Sequence, residues 1–117
     1  MRREAGAGFD RRHEPVDDDS VLLLAARDDP EAFTEFYRRN RDDLLEWAFR
    51  QTFDAEAAAD VVAETFAALL ERSHRFDPRR GPARAWLWGF ASTEVRRWQR
   101  RGAAATKARR KLGIAVV

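Results

Sequence analysis

The sequence predicts an all-α fold, a compact bundle of about four helices within residues 19–102. Three observations support this prediction. Apolar residues recur at spacings of three and four, as on the inward face of an amphipathic helix. Aspartate or serine precedes each of the first three periodic segments, where a helix N-cap is needed. No segment alternates apolar and polar residues as a half-buried strand does.

The first two helices are predicted from their start signals. Ser20 can cap a short first helix, Val21–Arg27, whose consecutive leucines indicate burial on more than one side. The second helix is predicted to start at Pro30, because Asp29 can act as its N-cap and proline is favoured at the first helical position. Its apolar positions, which continue to about Phe53, form one predicted inward face. They include Phe33, Phe36, Tyr37, Leu44, Leu45, Ala48 and Phe49.

The third and fourth helices are separated by a predicted loop. Asp54 is the expected N-cap of the third helix, which carries an inward stripe of valine, phenylalanine and leucine to about Ser73. Two prolines and a glycine in residues 76–82 break any helix. The fourth helix is predicted from about Ala83 to Arg101, with Gly102 as its terminator.

The two flanks are predicted to lie outside the bundle. Residues 1–18 mix glycine, proline and charged residues without periodicity, which is typical of a disordered leader. Residues 103–117 are predicted to form a basic linker or tail, in which residues 103–111 could be helical but have no apolar face to anchor a helix. The chain has no cysteine, no signal-peptide pattern and no apolar run long enough for a membrane span, which predicts a soluble cytoplasmic protein.

Charge is strongly segregated along the chain. Residues 79–111 carry eleven basic side chains against one acid, Glu94, for a net charge of +10, whereas the remainder has a net charge of −8. One surface should therefore attract a polyanion and another should repel it. Nucleic acid is the first polyanion to consider.

The third helix presents an acidic pair. Asp60 and Glu64 lie four residues apart on the side opposite the valines, where like charges cost about 0.2 to 0.5 kcal/mol. A basic partner would remove that cost; the alternative is a solvated face with incidental acids. General acid–base catalysis is disfavoured, because an exposed helix face offers no desolvation to shift a carboxyl pKa.

Neither a metal site nor an enzyme active site is predicted. Glu71 and His74 have the Glu-x-x-His spacing of di-metal helical bundles, but such a site needs the motif twice and two further glutamates. The other histidine, His13, falls in the predicted leader. With no nucleophile, phosphate loop or complete metal set, the protein is not expected to be an enzyme or to need a cofactor.

The fourth helix carries three tryptophans. Trp86 and Trp98 belong to its predicted buried side, whereas Trp88 stands about 200 degrees from Trp86 around the helix. An exposed Trp88 could stack an unpaired base, an interaction worth about 1 to 3 kcal/mol. The alternative is that Trp88 packs against the preceding loop or the first helix.

Taken together, these segments resemble region two of a bacterial sigma factor of the extracytoplasmic-function class, over roughly Ser20–Arg101. The resemblance rests on Asp29–Phe33, Phe36–Tyr37, Ala59–Phe66, Phe76, Trp86–Ala91, Arg96–Arg97 and Arg100–Arg101. It implies a helical domain that binds the clamp helices of the RNA polymerase beta-prime subunit, and recognises and melts the promoter −10 element in transcription initiation. An anti-sigma factor is a further candidate partner.

The resemblance also implies two sets of site residues. Asp60, Glu64 and Thr65 would face the clamp helices. The non-template strand of the −10 element would contact the loop and the fourth helix, through Arg79, Arg80, Arg84, Trp88, Ser92, Thr93, Arg96, Arg97, Arg100 and Arg101.

The sequence departs from the family pattern in two residues and in length. Ala63 and Thr93 stand where glutamine and asparagine are frequent, so promoter preference does not carry over. Region four, which reads the −35 element, is not in this chain, so we expect either a fragment of a longer sigma factor or a short form. Two alternatives remain: a truncated clamp-binding competitor of sigma factors without promoter activity, and a non-specific basic nucleic-acid-binding helical protein.

Overall fold

The computed structural model describes residues 17–113 and confirms the all-α prediction over that range. Its helices are α1 (Asp18–Ala25), α2 (Pro30–Thr52), α3 (Ala55–Glu71) and α4 (Ala83–Lys111). Two short 3-10 turns, Ser73–Arg75 and Pro78–Arg80, connect α3 to α4. The predicted leader lies almost entirely outside the described residues, as does the end of the predicted tail, residues 114–117. None of the helices described has the length and apolar character that a membrane crossing requires.

The predicted starts of α2 and α3 are confirmed. The Asp29 carboxylate accepts a hydrogen bond from the backbone N–H of Glu31 at 3.0 Å, directly after Pro30 at the first helical position. The Asp54 carboxylate accepts from the two N–H groups of Glu56 and Ala57, at 3.0 and 3.1 Å. Both aspartates satisfy amides that have no partner inside the helix, and their negative charge suits the positive helix end.

The prediction that Ser20 caps α1 is wrong. Asp17 is the N-cap, its carboxylate accepts from the Ser20 N–H, and the helix begins three residues earlier than expected. The Ser20 side chain is buried and serves α4 instead: its hydroxyl oxygen accepts the Ala83 N–H at 2.9 Å and its hydroxyl donates to Asp17 at 2.8 Å. Since Pro82 at the N-cap of α4 offers no side-chain acceptor, Ser20 supplies it from another helix.

Replacing Ser20 with alanine is therefore expected to lower the free energy of unfolding by about 1 to 3 kcal/mol, because it leaves the buried Ala83 N–H without an acceptor. Urea denaturation followed by circular dichroism would measure the change. Thr34→Ala is the matched control, since the exposed Thr34 hydroxyl bonds only to Pro30 of its own helix, and it should change stability by less than about 0.5 kcal/mol. Equal losses in the two variants would contradict the capping role.

The core lies where α2, α3 and α4 meet, with α1 packed across one end. Leu23, Phe36, Leu44, Leu69 and Leu87 have no exposed surface. An aromatic cluster extends this core, in which Phe66 contacts Phe33, Phe36 and Tyr37, all edge-on or nearly so. The core thereby fixes the relative position of α3 and α4, the two helices that carry the charged surfaces.

The prediction that Gly102 ends α4 is also wrong. The helix continues to Lys111 and stops at Gly113, whose φ of +71° is the left-handed conformation usual after a helix C-cap. Glycine inside a helix costs only about 1 kcal/mol relative to alanine, and good helix formers follow it in residues 103–111. The true terminator is therefore eleven residues further along the chain.

Candidate functional site

The acidic pair predicted on the third helix is exposed on α3. Asp60 and Glu64 both reach solvent, and they line a cleft of about 250 Å³ between α3 and α4. Three further carboxylates line the same cleft, those of Asp54, Glu56 and Glu94, together with Trp98 and Arg101 of α4. Five carboxylates against one arginine make this cleft a place for a cationic partner group.

Thr65 lies on the opposite side of α3 from the acidic pair. Its side chain has no exposed surface, and its hydroxyl donates to the Val61 carbonyl one turn earlier. The inward stripe of α3 includes this position, so a partner cannot reach the hydroxyl on the folded domain. We therefore do not carry Thr65 into the polymerase-facing set that the resemblance implied.

An apolar groove, which the sequence did not predict, lies between α2 and α3. Leu45 and Phe49 of α2 were expected to face inward, but they are 42% and 45% exposed and pack beside Ala55 and Ala59 of α3 around a groove of about 560 Å³. Phe53 lies against Phe49 at a ring distance of 6.3 Å and is 80% exposed. The expectation was wrong because the apolar stripe of α2 is wider than the surface that α3 and α4 cover.

Phe53 also has an unusual backbone. Its φ of +53° places a bulky residue in the left-handed conformation that glycine favours at this position after a helix. A strained backbone and a large exposed ring at one residue both work against stability. Such features are typical of a surface kept for a partner.

Trp88 is half-buried and packed, and is not a free platform. Its indole meets the ring of Trp47 edge-on at 6.4 Å, and the Arg84 guanidinium lies over the indole at 4.2 Å. The packing partner is thus α2, whereas the sequence had suggested the preceding loop or the first helix. Asp43 accepts from the same guanidinium at 3.1 Å. These side chains line an open cleft of about 560 Å³ between α2 and α4.

Asn40 holds this arrangement from the inside. It is buried, donates to Asp19 of α1 and to the Phe36 carbonyl, and accepts from Arg84 of α4 at 3.0 Å. Sequence reasoning missed it, although a signal existed: Asn40 lies midway between Phe36 and Leu44 at four-residue spacing, so it is a polar residue in an inward stripe. A buried amide must find partners, which indicates a polar connection between helices.

The loop before α4 positions two of the predicted DNA-contacting arginines. Asp77 caps the 3-10 turn by accepting the Arg79 N–H, and its carboxylate also accepts from the Arg79 guanidinium at 3.1 and 3.2 Å. The hydrogen bonds from Arg79, first those of its side chain and second that of its backbone, hold the pKa of the Asp77 carboxyl below its usual value. Asp77 therefore stays ionised to more acidic pH, and Arg80 beside it is exposed.

The predicted DNA-contacting residues of α4 do not share one face. Arg96 and Arg100 are exposed, and Ser92 and Thr93 are half-buried. Arg97 instead pairs with the buried Glu94 at 3.0 Å, and Arg101 lies at the acidic cleft. The basic residues of α4 are therefore divided between two sides of the helix.

Within residues 17–113, no group of three or more histidine, aspartate and glutamate side chains is arranged to hold a metal ion. Glu71 and His74 are both exposed near the end of α3. His13 lies outside the described residues.

Comparison with known proteins gives one match. The family model described as sigma-70 region 2 matches residues 36–105, which is more than half of the chain and includes most of α2, all of α3 and most of α4. No curated protein and no solved structure matches the chain significantly.

Proposed function

The chain belongs to the sigma-70 region 2 family, and on that basis we propose that it is the region-two module of an extracytoplasmic-function sigma factor. Region 2 is a domain of transcription-initiation factors and not of a known enzyme family. One observation supports the proposal most: in the matched stretch α3 carries an exposed acidic pair and borders an apolar groove, and a separate surface is basic and aromatic. A module that joins a protein to a polyanion needs one surface for the protein and a second, basic surface for the polyanion.

The proposed polymerase contact, called here the α2–α3 surface, consists of the exposed side of α3 with Asp60 and Glu64 and of the apolar groove that α3 forms with α2. Its partner would be the clamp helices of the beta-prime subunit. Arginines of that partner would meet the two carboxylates, and its apolar side chains would cover Leu45 and Phe49. An apolar centre with a charged rim is the usual composition of a protein interface.

The proposed DNA contact is the surface formed by the loop and the outward side of α4. The non-template strand of the −10 element would pass Arg79 and Arg80 and reach the Trp88 cleft. Because Arg84 already lies on the indole, a flipped base would stack on the exposed side of its guanidinium, continuing the stack. Ser92, Thr93, Arg96 and Arg100 would follow along α4, whereas Arg97 and Arg101 lie toward the acidic side.

This proposal places the module in the cytoplasm with core RNA polymerase. The α2–α3 surface is also where an anti-sigma factor would compete, because covering Asp60 and the groove would prevent polymerase binding.

Capture of core RNA polymerase by the immobilised chain tests the protein contact. Binding of a fluorescent non-template −10 oligonucleotide to the captured complex, against a scrambled oligonucleotide, tests the DNA contact. We expect capture and a preference for some −10 sequences. Capture without any sequence preference would indicate a clamp-binding competitor, and absence of capture would contradict the proposed function.

Replacing Trp88 with alanine is expected to weaken single-strand binding by about 1 to 3 kcal/mol, because the variant loses the surface on which Arg84 and a base stack. Fluorescence anisotropy with the −10 oligonucleotide would measure it, with thermal melting in parallel. Trp47→Ala is the control, since it removes the other ring of the Trp47–Trp88 pair and leaves the Arg84 stack. Lower stability with unchanged oligonucleotide affinity for Trp88→Ala would show that the ring only packs.

A further inference from the structure

The last turns of α4 extend beyond the bundle. From Gly102 to Lys111 every side chain except that of Thr106 is exposed, and the last core-facing residue is the half-buried Trp98. A free segment of ten residues would be a marginal helix in water. Here it continues a helix whose first half is packed, so the costly first turn is already formed.

Four of the basic residues of α4 lie on one side of the helix and form a stripe. Arg96, Arg100, Lys107 and Lys111 follow one another at spacings of four, seven and four residues. At about 100 degrees per residue they fall within about 60 degrees of each other, roughly opposite the buried Ala91. At 1.5 Å per residue the stripe is about 22 Å long.

The chemistry around the stripe is uniform. No acidic residue follows Glu94 in the sequence, and Glu94 pairs with Arg97, which lies outside the stripe. No aromatic residue follows Trp98, and the uncharged residues of 102–108 are one glycine, one threonine and four alanines. This half of α4 therefore has charges for phosphates but no aromatic ring on which an unpaired base could stack.

We propose that the stripe formed by Arg96, Arg100, Lys107 and Lys111 binds the phosphate backbone of duplex DNA without reading its sequence. The inference rests on the proposed function, because the duplex would continue from the single strand held at the first half of α4. A straight, rigid helix suits a rigid polyanion, and about 22 Å corresponds to roughly six base pairs at 3.4 Å each. Small alanine side chains allow the backbone to approach closely.

The test uses the full chain and a labelled duplex of unrelated sequence, with anisotropy measured from low to moderate salt. Each lost phosphate contact reduces the slope of log affinity against log salt by about 0.9, so Lys107→Ala with Lys111→Ala should make the slope shallower by about 1.8. Circular dichroism would establish that the variant keeps its helical content. An unchanged slope would overturn the proposal.

A variant in which the two charges are moved distinguishes the effect of their position on α4 from the effect of net charge. Adding Gly102→Lys and Ala105→Lys to the double variant restores the charge roughly on the opposite side of α4, at exposed positions where Gly102 has open space around it. We expect no recovery of the slope. Full recovery would overturn the proposal, since net charge alone would then explain binding.

Failure of this inference is distinguishable from failure of the proposed function. The lysine variants should still capture core polymerase and bind the −10 oligonucleotide, because neither lysine belongs to those surfaces. If polymerase capture is lost while duplex binding is unchanged, the stripe is a protein contact and the proposal is wrong. If the wild type shows stripe-dependent duplex binding without capturing polymerase, the proposed function fails and this inference stands.

Discussion

Asp60→Arg combined with Glu64→Arg is expected to abolish capture of core RNA polymerase while leaving the fold intact. Both carboxylates are exposed on α3, so reversing them places no charge in the core. In the complex they would face arginines of the clamp helices, and juxtaposed like charges cost several kcal/mol at an interface. Pull-down with core polymerase would measure the loss, and circular dichroism with thermal melting would establish that the domain is folded.

The matched control is Asp28→Arg with Glu31→Arg, which changes the net charge equally at exposed positions just before α2 and in its first turn. This variant should capture polymerase nearly as well as the wild type. Retained capture by the α3 variant would remove Asp60 and Glu64 from the polymerase surface. Equal loss in both variants would mean that overall charge, and not this surface, controls association.

Phe36→Ala is expected to lower the free energy of unfolding by about 3 to 5 kcal/mol. The Phe36 ring has no exposed surface and lies 6.3 Å from both Phe33 and Phe66, so its removal leaves a cavity between α2 and α3. Equilibrium unfolding in urea would measure the loss. Because α2 and α3 together form the proposed polymerase surface, we expect capture to weaken at temperatures where the variant begins to unfold.

Phe53→Ala is the comparison variant, because it removes a phenylalanine ring from the surface and not from the core. Phe53 is 80% exposed, so this variant should change stability by less than about 0.5 kcal/mol, although the Phe53 ring lies against Phe49 of the apolar groove. A loss in Phe53→Ala as large as that in Phe36→Ala would contradict the assignment of core and surface. Weaker polymerase capture at unchanged stability would support the apolar groove as a contact.

The helix boundaries show how far local signals reach. Asp29 and Asp54 were predicted as N-caps and are N-caps, because a capping side chain bonds to amides two or three residues away. Gly102 was predicted to end α4 and does not. One glycine destabilises the helix by less free energy than the helix formers around it contribute. Local signals thus identified which segments are helical better than where each one ends.

The exposed faces were less predictable. Periodicity placed Leu45 and Phe49 with Leu44 on one inward face, and the structure leaves the first two open to solvent. A sequence pattern gives the direction of an apolar stripe but not the width of the surface that its neighbours cover. The apolar groove between α2 and α3 could therefore not be predicted from the sequence.

The helical class, the separation of acidic from basic surfaces and the segments that carry the family resemblance could be predicted from the sequence, since each depends on residues near one another along the chain. The capping of α4 by Ser20, the burial of Thr65 and the position of Arg84 over Trp88 became known only from the packed helices. Ser20 reaches Ala83 across 63 positions, and Asn40 holds Arg84 across 44. Such contacts depend on which helix faces meet, and that is settled by packing of the whole core.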